Sequence, residues 1–163
     1  MGRICQELSF VRHLSPLDLG QGERLFVRSI RRWARSSEEW GRAIRVAVHI
    51  LKPKEGITFV NALDRFAASV DAHARRSIRL RIPICNRMSS DERAFLCLIE
   101  ALQNNHNQHA EALIRYLILP VGQKNAYSSL DSLAKSLAEG GFLFGLYDGL
   151  RSPQGVINLR TVA

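Results

Sequence analysis

Residues 23–51 read ERLFVRSIRRWARSSEEWGRAIRVAVHIL, and this stretch decides the fold. In its first half, Phe26, Ile30 and Trp33 recur at spacings of four and three residues, which places them on one side of an α-helix. In its second half, apolar residues recur at similar spacings. Residues 36–39, SSEE, provide the serine cap and the early acids of a new helix. The stretch therefore predicts two amphipathic helices joined by a short turn.

Downstream, residues 52–56 read KPKEG and interrupt this pattern, because proline cannot continue a helical hydrogen-bond ladder. Thr58 is then the expected N-cap of a third helix, which should end between Arg76 and Pro83. Residues 78–82, IRLRI, alternate apolar and basic side chains, a pattern that also fits a β-strand. Since a single strand has no pairing partner in an otherwise helical chain, we predict an extended connector here.

The second half of the chain begins with the strongest capping signal. Ser89 and Glu92 have the spacing of a capping box, in which each side chain accepts a hydrogen bond from the other residue's backbone N–H, so a fourth helix is expected from this point. The polar residues 104–107 predict a turn, and a fifth helix is then expected to end at Pro120. A sixth helix should run from about Ser128 to a pair of glycines.

Together these elements predict an all-α protein, a single-domain helical bundle or orthogonal array of about six helices. The expected domain, residues 1–163, divides into a basic sub-bundle at 15–82, a neutral helical hairpin plus helix at 88–150, and a tail at 151–163. The apolar fraction of 46% and the charged fraction of 23% are those of an ordinary globular protein.

Charge is distributed unequally along the chain. Residues 1–81 contain 14 Arg and 2 Lys against 8 Asp and Glu, whereas residues 82–163 contain 5 Arg and 2 Lys against 7 Asp and Glu. The entire net charge of +8 therefore lies in the first half. Arginine outnumbers lysine 19 to 4, and its guanidinium can form paired hydrogen bonds with a phosphate or a carboxylate. The asymmetry indicates an anionic partner.

Four arginines on the first helix, at spacings of four, three and four residues, are expected to form one exposed row. The second helix and the connector add further arginines to this basic surface. The ten residues predicted to bind an anionic partner are Arg24, Arg28, Arg31, Arg35, Arg42, Arg45, Arg75, Arg76, Arg79 and Arg81. Because any amphipathic helix turns charge toward solvent, a surface without a partner is an open alternative.

We expect a small non-enzymatic regulatory or accessory protein that binds nucleic acid, mainly through its phosphates. The alternative is a protein-protein interaction module or adaptor that docks on an acidic partner or helps to form a homo-oligomer. The sequence contains no glycine-rich phosphate loop after a strand, no nucleophile elbow and no His-Glu-x-x-His motif, so enzymatic chemistry is not expected.

Metal binding and membrane insertion are weakly supported. The candidate metal ligands are His73, Cys85, Cys97, His106 and His109, but their spacing lacks the paired ligands of structural zinc sites. We therefore expect no metal and no cofactor. Three cysteines at wide spacings argue against a disulfide framework and favour a cytoplasmic location. Charged residues interrupt every apolar stretch before it reaches the roughly 18 residues of a membrane span.

Overall fold

The computed structural model describes residues 15–145, and over this range the chain forms six α-helices and no strand. The helices are α1 (Gln21–Trp33), α2 (Ser37–Leu51), α3 (Pro53–His73), α4 (Ser90–Gln103), α5 (Asn107–Leu117) and α6 (Pro120–Glu139). A single 3-10 turn, Pro16–Asp18, precedes them. The predicted all-α, single-domain bundle is confirmed. The expected tail at 151–163 lies outside the described residues.

Two predicted helix starts are confirmed by their side-chain caps. The hydroxyl of Ser36 accepts a hydrogen bond from the backbone N–H of Glu39 at 3.2 Å, and α2 begins there. At α4, Ser89 and Glu92 form the full capping box: the Ser89 N–H donates to Glu92 Oε2 at 2.8 Å, and the Glu92 N–H donates to Ser89 Oγ at 3.1 Å. Each cap satisfies N–H groups that a helix leaves unpaired at its start.

Two prolines begin helices rather than ending them, and the predicted boundaries were wrong there. Helix α3 starts at Pro53, so Thr58 lies inside the first turns, where its hydroxyl donates to the Lys54 carbonyl at 3.1 Å. Helix α6 starts at Pro120, eight residues before the predicted start at Ser128. Proline fits the first position of a helix because the N–H that it lacks has no partner inside the helix.

Helix α3 also ends earlier than predicted, at His73. Its last residues form backbone hydrogen bonds with the end of α5 instead of a further helical turn. The N–H of Arg75 donates to the Leu117 carbonyl at 2.9 Å, and the N–H of Leu119 donates to the His73 carbonyl at 2.8 Å. The chain then continues without helix or strand to Ser89, as the predicted extended connector requires.

One core joins the basic and neutral halves of the chain. The largest contact between two helices joins α3 from the first half to α6 from the second. Phe66 of α3 and Phe95 of α4 meet edge to face, with ring centroids 5.2 Å apart, and both are fully buried. The two halves therefore share their apolar interior, as a single domain does.

Close approach of backbones fixes the α2 and α3 pair. Gly56 of α3 is buried against α2, and a Cβ atom at this position would lie 2.6 Å from the Cα atom of Val48. The next nearest atoms, at 3.1 Å, also belong to the α2 backbone. Only glycine allows this separation, because a backbone cannot move aside as a side chain can.

Candidate anion-binding surface

The outer side of α1 presents three of the four arginines predicted there. Arg28 and Arg35 are exposed, and Arg24 is half-buried. Within residues 15–145 their guanidiniums form no hydrogen bond or ion pair. Phe26 and Ile30 lie on the opposite side of the helix in the core, so the predicted amphipathic arrangement of α1 is correct for these residues.

Arg31 does not belong to the exposed row, and the prediction was wrong for this residue. Its exposed fraction is 2%, and all five of its N–H groups point to acceptors. Nε and Nη2 donate to the two carboxylate oxygens of Glu92 at 2.7 and 3.0 Å. The remaining donors reach the carbonyl oxygens of Ile82, Cys85 and Arg87 at 3.5, 2.8 and 2.7 Å.

The physical reason lies in the position of Arg31 at the edge of the row. Val27, one helical turn earlier on that side of α1, is fully buried, so the row borders the core there. Glu92 is itself held in place: Oε1 accepts the Arg81 N–H at 2.9 Å and Oε2 accepts the Ser89 N–H at 2.8 Å. A carboxylate with its acceptor sites filled in this way can accompany a guanidinium into the interior.

The two arginines of α2, Arg42 and Arg45, also differ in whether an acid compensates their charge. Arg42 bridges the two acids of the first turn, with Nη2 at 2.8 Å from Glu38 Oε1 and Nη1 at 2.8 Å from Glu39 Oε1. Its charge is therefore largely compensated within its own helix. Arg45 is exposed, and its side chain forms no ion pair or hydrogen bond with any residue in the described range.

Near the connector, Arg76 forms a paired ion contact with Asp91 of α4, at 2.7 and 3.1 Å. Asp91 is buried, which acts to raise its pKa, but the hydrogen bonds from Arg76 and from the backbone N–H of Arg79 outweigh burial and hold that pKa below its ordinary value. Arg75 is occupied too, because its Nε donates to the Arg115 carbonyl at 2.7 Å.

Arg79 and Arg81 are exposed, while Ile78 and Leu80, which alternate with them, are half-buried. The alternation predicted for the connector is therefore present from Ile78 to Arg81 but not at Ile82, which is 54% exposed. Their guanidiniums form no hydrogen bond or ion pair with the rest of the described chain, whereas their backbone N–H groups are fixed by the acids that begin α4. The exposed Arg87, whose carbonyl binds Arg31, lies in the same segment.

The buried Arg31 thus connects two sets of free arginines. Its guanidinium holds the carbonyl groups of the connector against α1, next to the exposed row. We use the name basic surface for the seven arginines of α1, α2 and the connector whose side chains are unpaired over residues 15–145. They are Arg24, Arg28, Arg35, Arg45, Arg79, Arg81 and Arg87.

A groove of about 280 Å³ runs between α1 and α2. The α1 wall carries Arg24, Arg28 and Arg32, and the α2 wall carries Ala43, Val46 and Ile50. Arg32 was not among the residues predicted to bind an anionic partner. Its spacing of four from Arg28 was the available signal, but the competing row through Arg31 has equally good helical spacing.

The candidate metal ligands are dispersed. His73 ends α3 beside Gly122, Cys97 is buried in α4, and Cys85 is half-buried in the connector. His106 and His109 lie at the start of α5, where the turn before it places them near the surface. Among residues 15–145, no group of three His, Cys, Asp or Glu side chains is arranged to hold a metal ion.

Comparisons of the chain with protein-family models, with curated proteins and with solved structures gave no match. In the part of the chain that the structure describes, no helix combines the length and apolar character that a membrane span requires.

Proposed function

We propose that the protein binds nucleic acid without catalysis, mainly through contacts between the basic surface and phosphates. The observation that supports this function is the set of hydrogen bonds from Arg31 to the connector carbonyls of Cys85 and Arg87. These bonds hold the connector beside α1 and so add its free arginines to those of the helix. Arginines suit this role because their planar guanidiniums donate paired hydrogen bonds to phosphate oxygens.

The distribution of acids also supports a net positive surface. Glu39 of α2 is engaged by Arg42, and its Oε2 lies 3.5 Å from Arg32 Nε. The acids that begin α4, Asp91 and Glu92, are buried in ion pairs. The positive charge of the unpaired arginines is therefore not cancelled by these neighbours. Phosphate binding by such a surface releases counterions and should be strongly dependent on salt.

A role as a regulatory or accessory factor follows from binding without chemistry. A cytoplasmic location fits this proposal, since Cys85 in the connector is a free thiol and would persist in a reducing compartment.

The test is a fluorescence anisotropy titration of labelled duplex DNA and RNA at several salt concentrations. We compare the natural chain with the triple variant R24Q/R28Q/R35Q. If these residues contact phosphates, the affinity should fall by at least tenfold, and the slope of log K against log salt should decrease by about one for each contact removed. Circular dichroism establishes that the variant is folded.

The matched control is the variant R115Q/K124Q/K135Q, which removes the same number of positive charges, three, from α5 and α6. It should bind almost as tightly as the natural chain. An equal loss in both variants would show that only net charge matters, and the assigned surface would be wrong. No binding of either nucleic acid at low salt would overturn the proposed function, leaving the acidic protein partner as the alternative.

A further inference from the structure

The groove between α1 and α2 has two chemically different walls. On the α1 side, Arg24, Arg28 and Arg32 follow one another at intervals of one helical turn. On the α2 side, Ala43, Val46 and Ile50 form an aliphatic strip. Contacts to phosphates would engage the arginine wall and leave the aliphatic strip without a partner.

Two of the three residues of the aliphatic strip are accessible to a ligand, whereas Ala43 is buried. Val46 is 40% exposed and Ile50 is half-buried, although both lie beside the core residue Ala47. Covering aliphatic surface of this kind removes it from water and is favourable. The groove volume of about 280 Å³ is close to the lower limit, roughly 300 Å³, of sites that hold small molecules. Its size therefore favours a small ligand.

The three guanidiniums are not equivalent. Nε of Arg32 lies 3.5 Å from the Glu39 carboxylate, so its charge is already partly compensated. Arg24 and Arg28 have no such partner among residues 15–145. A carboxylate entering the groove is therefore attracted to Arg24 and Arg28. Val46 and Ile50 lie in the second half of α2, whereas Glu39 lies in its first turn.

We propose that this groove binds a short aliphatic chain that ends in an oxyanion, such as a medium-chain carboxylate. The head receives hydrogen bonds from the guanidiniums of Arg24 and Arg28, and the chain lies on Val46 and Ile50. Ser29, a buried residue of α1, also lines the groove. The binding itself does not depend on the proposed nucleic-acid function.

The test is isothermal titration of the full chain with carboxylates of four to twelve carbons, in the absence of nucleic acid. We expect one saturable site and a rise in affinity of roughly fourfold for each CH₂ group until the groove is filled, after which the gain stops. Octyl phosphate should bind as octanoate does if any oxyanion head suffices. Octanol and octylamine should bind at least tenfold more weakly, because neither pairs with a guanidinium.

Two sets of variants test separately the residues expected to bind the carboxylate head and the residue expected to contact the aliphatic chain. R24Q/R28Q should weaken octanoate binding at least tenfold, whereas R79Q/R81Q, which loses the same charge outside the groove, should not change it. V46N should weaken octanoate binding several-fold. Its control is I57N, which alters an aliphatic residue of α3 that is 55% exposed and does not line the groove.

Three results would overturn the inference. They are the absence of saturable binding by any of the carboxylates up to millimolar concentration, equal binding of octylamine, and unchanged binding by R24Q/R28Q. Each is independent of the anisotropy titration, so failure of this inference is distinguishable from failure of the proposed function.

Discussion

Arg28 and Arg31 stand three residues apart on α1, and their surroundings are opposite. Arg28 is exposed and free of ion pairs within residues 15–145, whereas Arg31 is buried and donates to five acceptors. On α1, Arg31 lies one turn after the buried Val27 and so at the border of the core, but this position alone gives its guanidinium no partner. The partner comes from α4, where Glu92 supplies a buried carboxylate. A neighbouring helix thus decides which arginine remains available to a ligand.

The largest expected effect is on stability at Arg31. Arg31→Leu leaves the carboxylate of Glu92 buried without its cation, and the free energy of unfolding should fall by about 3–5 kcal/mol. Urea denaturation followed by circular dichroism measures this change. Arg28→Leu should alter the same quantity by no more than about 0.5 kcal/mol. Similar losses for both variants would remove the distinction between the two arginines.

The second effect concerns Asp91, which pairs with Arg76 as Glu92 pairs with Arg31. Asp91→Asn should lower the free energy of unfolding by about 1–3 kcal/mol at pH 7, because a charged hydrogen-bond acceptor is lost. The pKa of Asp91 is depressed in the folded chain, so its contribution is present above the unfolded pKa of about 3.9 and is lost as the pH falls through the folded pKa.

Urea titrations of the natural chain and of Asp91→Asn between pH 2 and pH 7 test this sign. The difference between the two proteins should be largest at neutral pH and should narrow below about pH 4. A difference that is constant over the whole range would show that the loss comes from packing rather than from the carboxylate charge.

The third effect compares two serine caps. Ser89→Ala should destabilise the chain by about 1–2 kcal/mol, at the upper end of N-cap effects, and Ser36→Ala by about 0.5–1 kcal/mol. The reason is that Ser89 belongs to a reciprocal box and its hydroxyl also contacts the Arg79 carbonyl, whereas Ser36 accepts one hydrogen bond. Thermal unfolding of the two variants shows which substitution destabilises the chain more. A larger loss for Ser36→Ala would contradict the extra stabilisation expected from the capping box and the Arg79 contact at Ser89.

The smallest effect on stability is expected at the surface. In R24Q/R28Q/R35Q, each substitution should change the free energy of unfolding by less than about 0.5 kcal/mol, because these side chains lie at the surface, outside the core, and have no partners among residues 15–145. The same variant should lose most of its affinity for DNA. A protein that loses stability and binding together would show that these arginines support the fold, and the comparison with Arg31 would fail.

Local sequence signals predicted a helix start well where residues close in sequence provide the hydrogen bonds for the unpaired backbone N–H groups at that start. Ser89 and Glu92 lie three residues apart and cap each other, so nothing beyond the sequence was needed to place the start of α4. The helix boundaries at Pro53 and Pro120 were harder to predict, because a proline can either end a helix or begin one. The neighbouring backbone decides between these two roles. Just before Pro120, the N–H of Leu119 is already paired with the carbonyl of His73.

The candidate site was less predictable than the fold, for a related reason. Helical spacing allows both Arg31 and Arg32 to belong to a row of arginines on α1, and it contains no information about which neighbour each row meets. Arg31 meets Glu92, 61 residues away, and Arg32 meets Glu39 across the turn to α2. The buried pair depends on packing between distant segments and the groove on packing between two consecutive helices, and a helical pattern predicts neither.

The close contact at Gly56 has a consequence for how the sequence can change. Any other residue there would place a Cβ atom 2.6 Å from the backbone of Val48, so α2 and α3 would have to separate. At Gly41, which lies in α2, the nearest atom to such a Cβ is the end of the flexible Arg45 side chain, at 3.9 Å. In descendants of this chain that keep the fold, Gly56 should therefore persist through divergence while Gly41 is free to drift.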